Sequence, residues 1–189
     1  MYYLGYIKQV DSSDMNKGHL LHSIRFESPI GSLQIISSAQ GIRLIQLPGR
    51  ATWNSSGVKT GKGDHPILVH ATDQLAEYFA GTRKYFDIPL DLYGTQFQLE
   101  VWQSLTGIGY GETNTYSQQA KKIGRPKAAR AVGGANAANP IPIVLPCHRI
   151  IGANGSLTGY GGGTSLLHIK QYLLDFENRS EDPGPHRTT

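Results

Sequence analysis

The sequence predicts a mixed α/β (α+β) chain, with a small strand-rich N-terminal unit followed by a helical C-terminal unit that carries a helix-turn-helix. Three observations predict it. Short alternating runs broken by turn residues fill positions 23–47. Apolar residues at helical spacing dominate from residue 65 onward. Two short helical stretches meet at Gly124, in the manner of a helix-turn-helix. With 189 residues, 39% of them hydrophobic, the chain suits one ordinary domain or two small ones sharing an interface, and wholesale disorder is excluded.

The elements follow in order. Residues 1–20 are polar and read as frayed. Strands are expected at Ser23–Phe26, Ser32–Ser37 and Ile42–Leu47, separated by Pro29-Ile30-Gly31 and Ala39-Gln40-Gly41. Pro48 to Asp64, rich in Gly, Ser, Thr and Lys, reads as a long surface loop. His65-Pro66 opens a helix with Leu68, Ala71, Leu75, Tyr78 and Phe79 on one face and Gly81 as its stop. Phe86–Leu92 reads as one more strand, and Tyr93-Gly94 as a boundary between an N-terminal domain, 1–93, and a C-terminal domain, 94–178. Phe97, Val101, Trp102 and Leu105 then recur at helical spacing as far as Gly107. Ser117 caps a short helix, 118–123, and Pro126 starts another that runs from Lys127 to about Asn136. Prolines 140, 142 and 146 enforce an extended apolar segment before Cys147, and 150–157 reads as a hairpin. A glycine-rich loop, 159–163, leads to a last amphipathic helix capped by Thr164 or Ser165, with Leu166, Leu167, Leu173 and Leu174 inward. Residues 179–189 read as a disordered tail.

Composition narrows the function. One cysteine excludes an internal disulfide and a cysteine-rich zinc module. No apolar run approaches the roughly 20 residues that span a bilayer, and the start lacks a secretory pattern. A soluble protein is expected, cytoplasmic, or nuclear in a eukaryote. The net charge of +4 is unevenly placed. Between Glu112 and Asp175 lie Lys121, Lys122, Arg125, Lys127, Arg130, Arg149 and Lys170 and no acid, a stretch suited to a polyanion. The second short helix is nearly all small residues (Ala128, Ala129, Ala131, Gly133, Gly134, Ala135). That fits either a tight helix–helix contact or close approach to a nucleic-acid groove, with Lys127 and Arg130 supplying charge.

Cys147 is the candidate nucleophile. A lone cysteine is most often a small buried hydrophobe, but this one stands between a proline and two basic residues, His148 and Arg149, which favour the thiolate. A third group should orient the imidazole, with Glu177, Glu112 and Asp175 as candidates by residue type.

Pro146-Cys147-His148-Arg149-Ile150, preceded by Arg130 to Ala135 and by Asn139-Pro140, resembles the signature of O6-alkylguanine-DNA alkyltransferases, also called methylated-DNA–protein-cysteine methyltransferases. The resemblance runs from Gly94 through Glu177 and takes in Gly94-Thr95-Gln96-Phe97, Val101-Trp102, Gly111-Glu112, Tyr116 and Gly159-Tyr160. It implies a ribonuclease-H-like N-terminal domain and a winged helix-turn-helix C-terminal domain. It implies direct repair, with the alkyl group of guanine O6, and also of thymine O4, passing irreversibly to the protein's own cysteine, once per chain. The implied partner is double-stranded DNA carrying O6-alkylguanine, bound by a monomer, with cooperative binding along DNA left open; neither cofactor nor metal is implied.

The resemblance also assigns roles. Cys147 resembles the acceptor, His148 the base acting through water, and Glu177 the carboxylate that orients it. Asn139 resembles the hinge of the active-site loop, and Tyr116 the tyrosine beside the nucleotide phosphate. Arg130 resembles the finger that fills the stack when the base is flipped, with Lys127, Ala128, Ala129 and Gly133 around it on the DNA side. Tyr160, Val144, Gly161 and Trp102 are assigned to the substrate pocket. Gly161 stands where the family usually has serine, and Tyr160 to Lys170 is about three residues longer than usual, which should loosen the pocket and admit larger alkyl groups. Two other readings compete: a helix-turn-helix lesion-binding or regulatory module without transfer, and a thiol hydrolase or redox enzyme. Relatives of the first kind lack the acceptor cysteine, and the second has no need of a basic small-residue helix.

Overall fold

The computed structural model describes residues 7–9, 20–50 and 65–179. The first element is β1, Ile7–Gln9, within the stretch expected to fray; it pairs in parallel with β5, Leu92–Gly94. Strands β2 (His22–Ser28), β3 (Gly31–Ser37) and β4 (Ile42–Gln46) form an antiparallel meander, as their alternation predicts. Helix α1, Pro66–Phe79, lies against it and buries Leu68, Ala71, Leu75 and Tyr78. Most of the expected surface loop, 51–64, lies outside the described residues.

The expected strand at Phe86–Leu92 is an extended segment without a ladder of its own. Phe86, Ile88 and Leu90 do alternate inward. Pro89 has no N–H to give, however, so contact with β4 reduces to a single bridge, Ile42 with Leu90. β5 forms only beyond it.

The second half is helical: α2 (Gln96–Leu105), α3 (Tyr116–Lys122), α4 (Ala129–Ala137) and α5 (Leu167–Arg179). Thr115, not Ser117, caps α3, exchanging hydrogen bonds with Gln118 in a capping box. Gly124, with φ +73°, ends that helix: its N–H and that of Arg125 reach back to the carbonyls of Lys121 and Ala120. Pro126 sits in the turn between α3 and α4, closed by Ala128 N–H on Arg125, so α4 starts two residues later than expected. In place of the expected hairpin, β7 (Ile150–Ile151) pairs in parallel with β6 (Asn114–Thr115), while Gly152 donates to the Ser156 carbonyl in a local turn. The first backbone bonds of α5 go to the carbonyls of Thr164 and Leu166, and the helix continues through Arg179, the first residue of the expected tail.

One continuous apolar core runs from Leu33 and Ile45 in the meander through Tyr78 and Trp102 to Leu173 in α5. Burial of this kind contributes roughly 25 cal/mol per Å2 of apolar surface. The two halves are therefore packed as one body, and the chain around Cys147 lies where they meet.

Candidate active site

The segment before Cys147 is not extended. Ile143 takes φ +76°, a left-handed conformation that is costly for a β-branched residue, by about 1–3 kcal/mol. Leu145 N–H closes a turn on the Ile141 carbonyl. At Pro146 (φ −80°, ψ 63°) an inverse γ-turn lets Cys147 N–H reach the Leu145 carbonyl. Residues Cys147–Arg149 then form one turn of 3-10 helix. Prolines that suggested a rigid strand instead set a series of tight turns. Cys147 and His148 consequently leave the chain on neighbouring sides of a turn, not on opposite faces of a strand.

Asn139 holds this loop in shape. Its side-chain amide donates to the Leu145 carbonyl (2.8 Å) and to Cys147 Sγ (3.1 Å), and its Oδ1 accepts from Ile141 N–H (3.0 Å). Burial pushes the Cys147 thiol up from its ordinary pKa; the Asn139 donor and the charges of Lys170 and Arg50 pull the other way. Those charges were expected from His148 and Arg149. His148 is neutral, and Arg149 is committed elsewhere.

Of the three candidate carboxylates, Glu177 is the one beside His148, at 2.9 Å from Nε2. Glu112 accepts from Gly109 N–H, and Asp175 pairs with Gln171 at the exposed side of α5. Glu177 takes five donors: His148 Nε2, the Tyr78 hydroxyl, Arg149 through Nε and one Nη, and Gly111 N–H. Burial alone would raise its carboxyl, but His148 and Arg149 outweigh that and hold it well below the usual carboxylate range. A carboxylate only accepts, so His148 Nε2 carries the proton and Nδ1 keeps its lone pair. Burial lowers the His148 pKa despite Glu177, so the ring is neutral near pH 7. Nδ1 is buried with no hydrogen-bond partner in the protein, which leaves it a free base.

Above the thiol opens a cavity of about 510 Å3, lined among others by Tyr116, Arg130, Gly133, Cys147, Tyr160 and Gly161. Tyr160-Gly161-Gly162-Gly163 is a tight turn closed by Tyr160 N–H on the Gly163 carbonyl, with φ +59° and +95° at its two central glycines. A Cβ on Gly161 would meet Leu166 Cδ1 at 2.8 Å. A serine here would hold a left-handed φ and would need the Leu166 side chain, from the longer stretch before Lys170, to shift. Leu166 is buried in the core, whereas Gly162 to Ser165 before it are exposed. The Tyr116 hydroxyl donates to the Thr158 carbonyl (3.1 Å), which also accepts from Lys170 Nζ (3.2 Å). Lys170 is buried, and burial lowers its pKa to about 8.

Two expected pocket residues do not line the cavity. Trp102 is buried and donates its indole N–H to the Ala135 carbonyl (2.8 Å), tying α2 to α4; Gly94 leaves room for its ring. Val144 lies buried in the turn before Cys147. On α4, Val132, Ala135 and Asn136 face inward, whereas Arg130 and Gly134 face solvent and Lys127 is exposed in the preceding turn. A Cβ on Gly134 would meet nothing within 4 Å, so internal packing does not require its smallness.

Residues that the sequence did not single out complete the site. Arg50 donates to the carbonyls of Asn139 (3.1 Å) and Ala137 (3.2 Å), and Ile45 N–H of β4 to Pro140 (2.9 Å). Tyr78 read as one more apolar position of α1, and Arg50 as part of a surface loop. No local pattern marks either.

Known proteins match this chain in both halves. Residues 96–179 match the model of the 6-O-methylguanine DNA methyltransferase DNA binding domain, and residues 21–92 that of its ribonuclease-like domain. A methylated-DNA–protein-cysteine methyltransferase of Methanosarcina acetivorans is 46% identical over 155 residues, 80% of this chain and 95% of the relative. The constitutive one of Bacillus subtilis is 45% identical over 156 residues, 82% and 93%. A crystal structure of Mycobacterium tuberculosis O6-methylguanine methyltransferase superposes with a TM-score of 0.78 at 42% identity, covering 87% of this chain and 96% of that one. The M. tuberculosis OGT in complex with DNA gives 0.75 at 42% identity, covering 85% and 93%.

Proposed function

Because the chain belongs to the 6-O-methylguanine DNA methyltransferase family, and so repairs DNA directly by alkyl transfer to a cysteine, we propose that Cys147 is the acceptor and O6-alkylguanine in duplex DNA the substrate. The observation that carries the assignment is the single described thiol at the floor of the cavity, followed in the chain by a neutral histidine whose free nitrogen is its only unsatisfied one.

The step balances simply. His148 Nδ1 takes the thiol proton through an intervening water, since Glu177 stabilises the imidazolium that forms. The thiolate attacks the alkyl carbon opposite O6. The S–C bond forms, the C–O6 bond breaks, and its electron pair returns to the guanine ring, which takes up a proton from water. The Asn139 amide steadies the developing thiolate at 3.1 Å. The thioether has no easy leaving group, so each chain acts once.

A base within a duplex hides its O6 substituent, and the nucleotide must leave the stack to enter the cavity. Arg130, exposed at the cavity rim on α4, is placed to fill the gap, with Lys127 on the neighbouring phosphates. The open face around Gly134 lets α4 approach a groove closely. Tyr116 and Tyr160 wall the pocket, and the protein acts as a monomer.

The test is incubation with a duplex carrying O6-[methyl-labelled]guanine. One label per chain on the peptide containing Cys147, and none on Cys147→Ser, is the expected result; label elsewhere, or turnover beyond one equivalent, overturns the assignment.

A further inference from the structure

Glu177 Oε1 is shared by donors from opposite halves of the chain: His148 Nε2 and an Arg149 Nη, each at 2.9 Å, and the Tyr78 hydroxyl at 2.7 Å. We infer that Tyr78, in the N-terminal helix α1, is a positioning residue of alkyl transfer, whose hydroxyl moderates the pull of Glu177 on the imidazole and so sets the strength of the base. The inference rests on the reading of His148 as that base.

The geometry makes Tyr78 a fixed donor. Its ring is wholly buried and packed against Phe79, Phe86, Tyr110 and Phe176, at centroid distances of 5.2 to 6.1 Å. The hydroxyl has one hydrogen-bond partner named above, and burial together with Glu177 keeps it protonated well beyond the working pH range. A carboxylate oxygen that accepts three hydrogen bonds, here from His148, Tyr78 and Arg149, offers less charge to each than one that accepts two. With Tyr78 in place, Oε1 orients the ring and holds the Nε2 proton without driving the imidazole into its protonated form. Other charged and titratable groups face this pair from every side. From α5 comes Lys170, from the 3-10 turn Arg149, from the pocket loop Tyr160, and from the loop before β6 Tyr110, with Lys84 over its ring. Among them Arg149 and Lys170 lower the His148 pKa, and Glu177 raises it.

The Tyr78→Phe variant removes the hydroxyl and keeps the ring. Relieved of one donor, Oε1 holds the protonated imidazole more strongly, so the His148 pKa rises. Because only neutral His148 can accept the thiol proton, the acid limb of the pH–rate profile moves to higher pH. The measurement is single-turnover alkylation by free O6-benzylguanine between pH 5 and 9, with thermal unfolding to check folding. The expected result is an acid-limb midpoint raised by about 0.3–1 unit, a two- to tenfold loss at a fixed pH on that limb. The alkaline plateau should stay within about twofold of wild type. His148 ring-nitrogen chemical shifts followed over the same range should move in the same direction. A profile that superimposes on wild type, or one lowered by the same factor at every pH, overturns the inference, the second being what packing alone would give. His148→Ala serves as the control: if it reacts at the wild-type rate, the reading of His148 as base fails, whatever Tyr78 does.

Discussion

At the scale of single residues, the active site is an arrangement of committed and uncommitted atoms. Every oxygen of Glu177 is taken, His148 Nε2 is taken, and Nδ1 is not. His148→Ala should therefore slow single-turnover transfer by about 100- to 1,000-fold, the usual worth of a general base. Glu177→Gln should slow it less, yet destabilise the fold by about 3–5 kcal/mol, since Arg149 stays buried without its counter-charge. Stopped-flow alkylation and denaturant unfolding separate the two effects. The same carboxylate sets the acid limit of stability. Its folded pKa lies below the ordinary 4.5, so its contribution is intact above that pH and is lost as the pH falls from there toward the folded value. Cys147, His148 and Glu177 were legible in the sequence because chemistry picks out residue types. Residue type alone left Glu177, Glu112 and Asp175 open, because the choice depends on which helix packs over the turn; the family resemblance is what picked Glu177.

Elements show where pattern reading succeeds and where it stops. The meander, α1 and α2 follow from their periodicity, which tertiary packing only reinforces. The boundaries that slipped did so for local reasons: Thr115 outcompetes Ser117 as a cap because Gln118 stands three residues after it, and Pro126 serves a turn, not a helix start. The turns before Cys147 were hidden because three prolines are equally compatible with a strand and with tight turns. The pocket loop supplies a prediction at this scale. Gly161→Ser places a Cβ at positive φ and against Leu166, so it should destabilise the protein by about 1–3 kcal/mol and slow transfer on DNA and free base alike. Calorimetry on Gly161→Ser and on Gly161→Ser/Leu166→Ala checks the cause: if the clash matters, the two substitutions together cost less than their sum.

Across the whole molecule, the N-terminal half does more than cover a core. Arg50 ties the Asn139 hinge to the chain after β4, Ile45 fastens Pro140, and Tyr78 reaches Glu177. Arg50→Met should raise the Cys147 pKa and slow alkylation by free base about three- to tenfold at pH 7, a loss that narrows as alkali ionises the thiol; thiol titration by ultraviolet absorbance reads the shift directly. None of this could be read from sequence, since it depends on contacts across about 90 to 100 positions. The distribution of cations has a further consequence, in the thermodynamics of counterions. Of the acid-free stretch, Arg149 and Lys170 are buried inside the site and Arg125 is paired with Glu100. Lys121, Lys122, Lys127 and Arg130 remain exposed. Each phosphate they neutralise releases about 0.9 of a condensed ion, so the logarithm of DNA affinity should fall against that of salt with a slope of about −3.6. A slope near −6, as the bare sequence would suggest, would mean that the buried cations reach the duplex after all. At about −3.6, raising salt from 50 to 200 mM weakens binding by roughly 150-fold, while the buried Lys170 charge beside the thiol, shielded from the solution, keeps its effect.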